Sequence, residues 1–108
     1  MTDQELRVKV AEKMGYTVRW VETHSDHVVT SHYLFTLKGR VVDAPNYPAS
    51  LDACAEFERT LDKDEVLASA YAQHLVRIVA DNYFMLITAS PRNRCLAFLA
   101  TVNPTSHD

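Results

Sequence analysis

Apolar side chains recur at Leu6, Val10 and Met14, every fourth position of the opening segment, which places them on one face and predicts a helix over residues 3 to 14. Gly15 supplies the stop. The pattern then changes character. Thr17 to Val21 has the β-branched and aromatic content of a strand, and Ser31 to Leu37 reads as a second, with Tyr33, Leu34, Phe35 and Leu37. Glu22 to Thr30, mostly polar, is expected to be a loop or a hairpin connection. Lys38-Gly39 signals a turn before a short strand at Val41-Val42. Asp43 to Pro48, with Pro45 and Pro48 bracketing Asn46-Tyr47, predicts an ordered surface turn.

The second half is dominated by the helical period. Ser50 is a suitable N-cap for a helix through Leu61 whose inner side carries Leu51, Cys54, Ala55 and Leu61, and Asp62 or Asp64 caps the next. Leu67, Ala70, Tyr71, His74, Leu75 and Ile78 give the cleanest amphipathic stripe in the chain. Tyr83 to Ile87 is a continuous apolar run of strand length, the pattern of a central strand covered on both faces. Ser90 at N-cap and Pro91 at the first helical position open a last helix with Cys95, Phe98, Leu99 and Val102 inward, ended by Asn103-Pro104. The expected fold is α/β, a single-domain layered α-β-α sandwich of about three strands and about four helices over residues 1–104, with a frayed tail at 105–108.

Composition narrows the function classes. A chain of 108 residues that is 47% hydrophobic supplies one core, with no repeat, low-complexity tract or linker to suggest a second unit. A net charge of −3 and a pI near 5.9 argue against phosphate neutralisation as the main mode of binding, so nucleic acid is a disfavoured partner. No apolar run reaches the ~18–20 residues of a membrane span, and the start MTDQELRVKV lacks the layout of a signal peptide, so a cytoplasmic location is expected. Cys54 and Cys95 then read as reduced, buried thiols.

The segments TDQELRVKVAEKMGY, PNYPASLDACAEFERTL, YAQHLVRIV and ITASPRNRCLAFLATV, in that order, resemble the bacteriophage ABA sandwich family, small phage and prophage proteins of unknown function. The ending is the most specific part, with Ala89, Ser90, Asn93, Arg94, Ala97, Phe98 and Leu99 standing at the family's positions. Asn93 replaces a frequent glutamine, and the chain runs into ATVNP where relatives carry a longer Arg- and Trp-containing tail. The resemblance implies a layered α-β-α fold and a phage origin; it implies no activity.

Four groups of residues carry candidate chemistry. His24, Asp26, His27 and His32, with Glu22, have metal-ligand types but fit no defined spacing, so a solvated histidine loop competes with a Zn²⁺ or Ni²⁺ site. Arg92 and Arg94 begin a helix whose macrodipole disfavours cations, and with the free N–H groups there they would suit a phosphate or carboxylate; alternatively Arg94 packs its stem and pairs with Glu56 or Glu58. Tyr47 is either an aromatic exposed for binding on a stiff turn or a staple over the edge of the core. Cys95 with His74 lacks an orienting third group and a nucleophile motif, and neither a phosphate-binding loop, a dinucleotide fingerprint nor a Cys-x-x-Cys pair occurs.

No catalytic set emerges, and no cofactor is called for. The expected function is a phage-encoded accessory protein that works by binding, as a stoichiometric inhibitor of a host or defence protein. The alternative is a sponge for a phosphate-bearing signalling nucleotide, held by Arg92, Arg94 and Tyr47.

Overall fold

A computed structural model describes residues 1–79 and 89–103. In chain order its elements are α1 (Asp3–Lys13), β1 (Thr17–Ser25), β2 (Val28–Leu37), β3 (Arg40–Val41), a 3-10 turn (Tyr47–Ala49), α2 (Leu51–Leu61), α3 (Glu65–Ile78) and α4 (Pro91–Val102). Among the described residues the fold is mixed α/β, with four helices and a three-stranded antiparallel sheet of order β1-β2-β3 that α1 packs against. The strand expected over Tyr83 to Ile87 and the tail from Thr105 lie outside the described residues.

Local chemistry fixes the helix starts. Thr2 and Glu5 form a reciprocal capping box at α1, with both backbone-to-side-chain bonds at 3.1 Å. The side chains of Ser50, Asp64 and Ser90 accept from backbone N–H groups at the starts of α2, α3 and α4. Both sheet turns are two-residue connections with positive φ at each position, Asp26-His27 at 47° and 67° and Lys38-Gly39 at 52° and 82°. That geometry matches the twist of the strands it joins, and the short side chain of Asp26 tolerates it.

The core gathers around α4, which touches α1, α2, α3 and the 3-10 turn. Leu6, Val10, Tyr47, Phe57, Cys54 and Cys95 are fully buried, and Phe57 stacks on Phe98 with ring centroids 4.4 Å apart. Phe57, rather than Leu51, is the chief inward residue of α2; Leu51 at the first position of the helix is exposed. The stripe on α3 is shallower than its periodicity implies. Only Leu75 within that helix is buried, because the helix packs on α2 and α4 from outside.

The sheet joins the helical body at its root. Phe35 is buried, meets Tyr16 edge-on at 6.5 Å, and lies 4.8 Å beneath the Arg7 guanidinium carbon. Arg7 also donates from Nε to the Pro45 carbonyl at 3.3 Å, and to that of Ala44, tying α1 to the segment before the 3-10 turn. Beyond that joint β1 and β2 continue as a two-stranded ribbon. The Cα radius of gyration, 15.7 Å, exceeds the ~13 Å of a compact domain of this length, in keeping with a ribbon that leaves the helical body.

Candidate functional site

Arg92, Arg94 and Tyr47 come from two neighbouring elements, the start of α4 and the 3-10 turn, yet they do not converge on a common opening. Arg94 is turned inward. Its Nε donates to the Ala89 carbonyl at 2.9 Å and its Nη1 to Glu58 Oε2 at 2.8 Å, and the same carboxylate oxygen accepts from the Tyr71 hydroxyl at 2.5 Å. One half-buried carboxylate thus links α2, α3 and α4. Glu58 is one of the two partners that the packing alternative for Arg94 named.

Arg92 is directed to the N-terminus of the chain. It pairs with Asp3 Oδ1 at 2.5 Å and donates to the Met1 carbonyl, near the surface. Asp3 thus gives this cation a partner at the end of α4 that disfavours positive charge.

Tyr47 is fully buried, so the staple alternative is the one realised and the turn presents no exposed ring. Its ring lies 6.0 Å from that of Phe57. Its hydroxyl meets no partner at hydrogen-bonding geometry among the described residues. Burial pushes its pKa well above the ordinary tyrosine value, and burial does the same to Tyr71, reinforced by the bond to Glu58.

The segment expected as a loop or connection, Glu22 to Thr30, is instead the outer part of a regular hairpin. Register decides its chemistry. Val18 faces Phe35, Trp20 faces Tyr33, Glu22 faces Ser31 and His24 faces Val29 on one side; Arg19 with Leu34, Val21 with His32 and Thr23 with Thr30 occupy the other. His24 and His32 are therefore on opposite faces and do not share an ion. Among the described residues no cluster of three or more His, Cys, Asp or Glu is placed to hold a metal. His24 instead lies 3.9 Å from Glu22 on the same face, with both side chains exposed.

That same face changes from core to surface along the ribbon. At the root Val18, Tyr33 and Phe35 pack on the helical core. One step out, Trp20 remains 57% exposed although it contacts Tyr33 edge-on at 4.7 Å, and Val29 farther along is 56% exposed. The sequence reading did not single out Trp20. Period-two alternation stops at the adjacent apolar pair Trp20-Val21, and Glu22 to His27 are all polar, so the sequence carries no clear signal that the strand continues.

A shallow groove of about 430 Å³ runs along the exposed side of α3, between Glu65, Val66, Ser69, Ala70 and Gln73. Those described residues include a carboxylate and no cation, an arrangement unsuited to phosphate. Among the described residues no helix is long and apolar enough to cross a membrane. No family model matches the chain, and no curated protein or solved structure matches it.

Proposed function

We propose that this protein acts by binding another protein through the projecting hairpin, with Trp20 as the anchor, Tyr33 beside it and Val29 farther out on the same face. The observation that supports this reading is a large aromatic left more than half exposed on a stiff antiparallel ribbon, where ordering costs are already met by the fold. Tryptophan buries large area at low entropic cost, and an anchor of this kind contributes at least ~2 kcal/mol when a partner covers it. The wider reading, a cytoplasmic phage accessory protein that inhibits a host or defence protein, rests on the resemblance carried by four segments along nearly the whole chain, most specific in that of α4, and is part of this proposal.

The nucleotide-sponge reading receives less support. Arg94 is held by Glu58 and Ala89, Arg92 by Asp3 and Met1, and Tyr47 is enclosed. A nucleotide would have to displace internal bonds to be held by either guanidinium.

The test is a quantitative binding comparison with partners captured from host-cell extract and then purified. Trp20→Ala is expected to weaken the captured complex by ~30-fold or more while the melting temperature stays near that of the parent. Equal affinity for parent and variant would overturn the hairpin assignment. A melting temperature raised by a cyclic or linear nucleotide, and not raised in Arg94→Ala, would move the assignment to the sponge.

A further inference from the structure

Cys54 on α2 and Cys95 on α4 are both fully buried free thiols, in a chain whose sequence offers no other cysteine. Cys54 Sγ lies 3.2 Å from the Tyr47 carbonyl and 3.6 Å from that of Pro91. Pro91 stands one turn before Cys95 on α4, and a helical side chain leans toward the N-terminus, over the turn that precedes its own Cα. The Cys95 side chain therefore projects over the turn against which Cys54 rests, which brings both thiols to one contact between α2 and α4. Both are unbranched, small residues at a helix contact, which lets the backbones approach as a disulfide requires.

We propose that Cys54 and Cys95 are a paired dithiol which a diffusible peroxide converts into an intramolecular disulfide, locking α2 to α4. The neighbouring Cys95 thiol holds the Cys54 thiol below its ordinary pKa, with the Arg94 guanidinium acting in the same sense and burial and Glu58 opposing. Attack by Cys54 and resolution by Cys95 give the same disulfide as the reverse order.

In the first step Cys54 sulfur bonds to one peroxide oxygen, the O–O bond breaks, and the departing hydroxide leaves as water with the Cys54 proton. Cys95 sulfur then displaces the hydroxyl from the resulting sulfenic acid, and the second water leaves with the Cys95 proton. The two thiols lose two electrons and the peroxide is reduced to two waters. Both thiols are buried, and the Tyr47 carbonyl of the 3-10 turn Tyr47–Ala49 rests on Cys54, so the peroxide must enter by local opening of that turn.

The test treats purified, reduced, full-length protein with hydrogen peroxide, then unfolds and alkylates it for intact-mass analysis. The expected result is a loss of two hydrogen atoms, protection of both cysteines from alkylation, full reversal by dithiothreitol, and a melting temperature raised by roughly 4 °C or more. Disulfide formation is expected to be faster in buffer than in urea, because the fold positions the sulfurs. Cys54→Ser and Cys95→Ser, checked for folding by circular dichroism, should each abolish the mass loss. A disulfide that forms faster in urea, a bridge between two chains, or accumulation of sulfinic acid on parent protein without a bridge would each overturn the proposal; these readouts need no variant to fold.

Discussion

The helical body and the outer hairpin are built from similar residues and use them oppositely. Phe57, Phe98 and Tyr47 around α4 are enclosed, whereas Trp20, Val28 and Val29 on the ribbon are each more than half exposed. An aromatic side chain in the first region has helices on several sides; one in the second has a single cross-strand neighbour and solvent. The difference teaches that apolar content identifies core only where a second layer is present to cover it. On a two-stranded ribbon the same residues are left as surface, and a ribbon of this kind is stabilised at its root rather than along its length.

The contrast is broken most directly at the stacked pair. Phe57→Ala removes the ring that contacts Tyr47, Tyr71 and Phe98, and is expected to cost ~3–5 kcal/mol in urea or thermal unfolding. A cost below ~1 kcal/mol would mean that the helical body is no better packed than the ribbon.

Next in size is Glu58→Ala. It leaves the Arg94 guanidinium and the Tyr71 hydroxyl without their shared acceptor, and since the group is only partly buried the expected loss is ~2 kcal/mol. Tyr71→Phe in the Glu58→Ala background should then add little, whereas in the parent it should cost ~1 kcal/mol; the cycle reads the coupling directly.

Tyr47→Phe is a smaller and opposite case. Its buried hydroxyl meets no partner at hydrogen-bonding geometry among the described residues, so removing it should leave stability unchanged or raise it by up to ~1 kcal/mol. Both Tyr47 and Tyr71 have folded-state pKa values raised above the ordinary ~10, chiefly by burial. Their contribution is complete below the unfolded value and is lost as pH rises past it, because the unfolded chain releases protons that the folded state retains. Denaturant midpoints measured from pH 8 to 11 should fall above about pH 10, and less steeply in Tyr47→Phe.

The smallest expected effect is that of Trp20→Ala, about 0.5 kcal/mol or less by thermal unfolding, since it removes one edge contact on a solvated ribbon. A loss comparable to that of Phe57→Ala would make the outer hairpin part of the folding core and remove the case for it as a free surface.

Much of the helical scaffold was legible beforehand because its signals are local. Ser50 and Ser90 cap through backbone groups three residues away as expected, Asp64 is the one of the two expected aspartates that caps α3, and Gly15 adopts φ of +101° after the first helix. The extent of the hairpin was not legible, since Asp26-His27 lacks the glycine that marks most such turns and the outer strand residues are polar. Nor was the state of the candidate residues. Tyr47 had two readings of equal local quality, and only the approach of α1, α2 and α4 encloses it.

The sequence by itself determined the helix starts, the Lys38-Gly39 turn and the apolar stripes of α1 and α4, because each follows from contacts within a turn or two of chain. Tertiary structure alone decided that Arg94 meets Glu58, that Cys54 meets Pro91 at the start of α4, and that His24 and His32 face apart. The first two pairs join positions distant in sequence, and the third depends on a strand register in which a slip of one residue would exchange the faces.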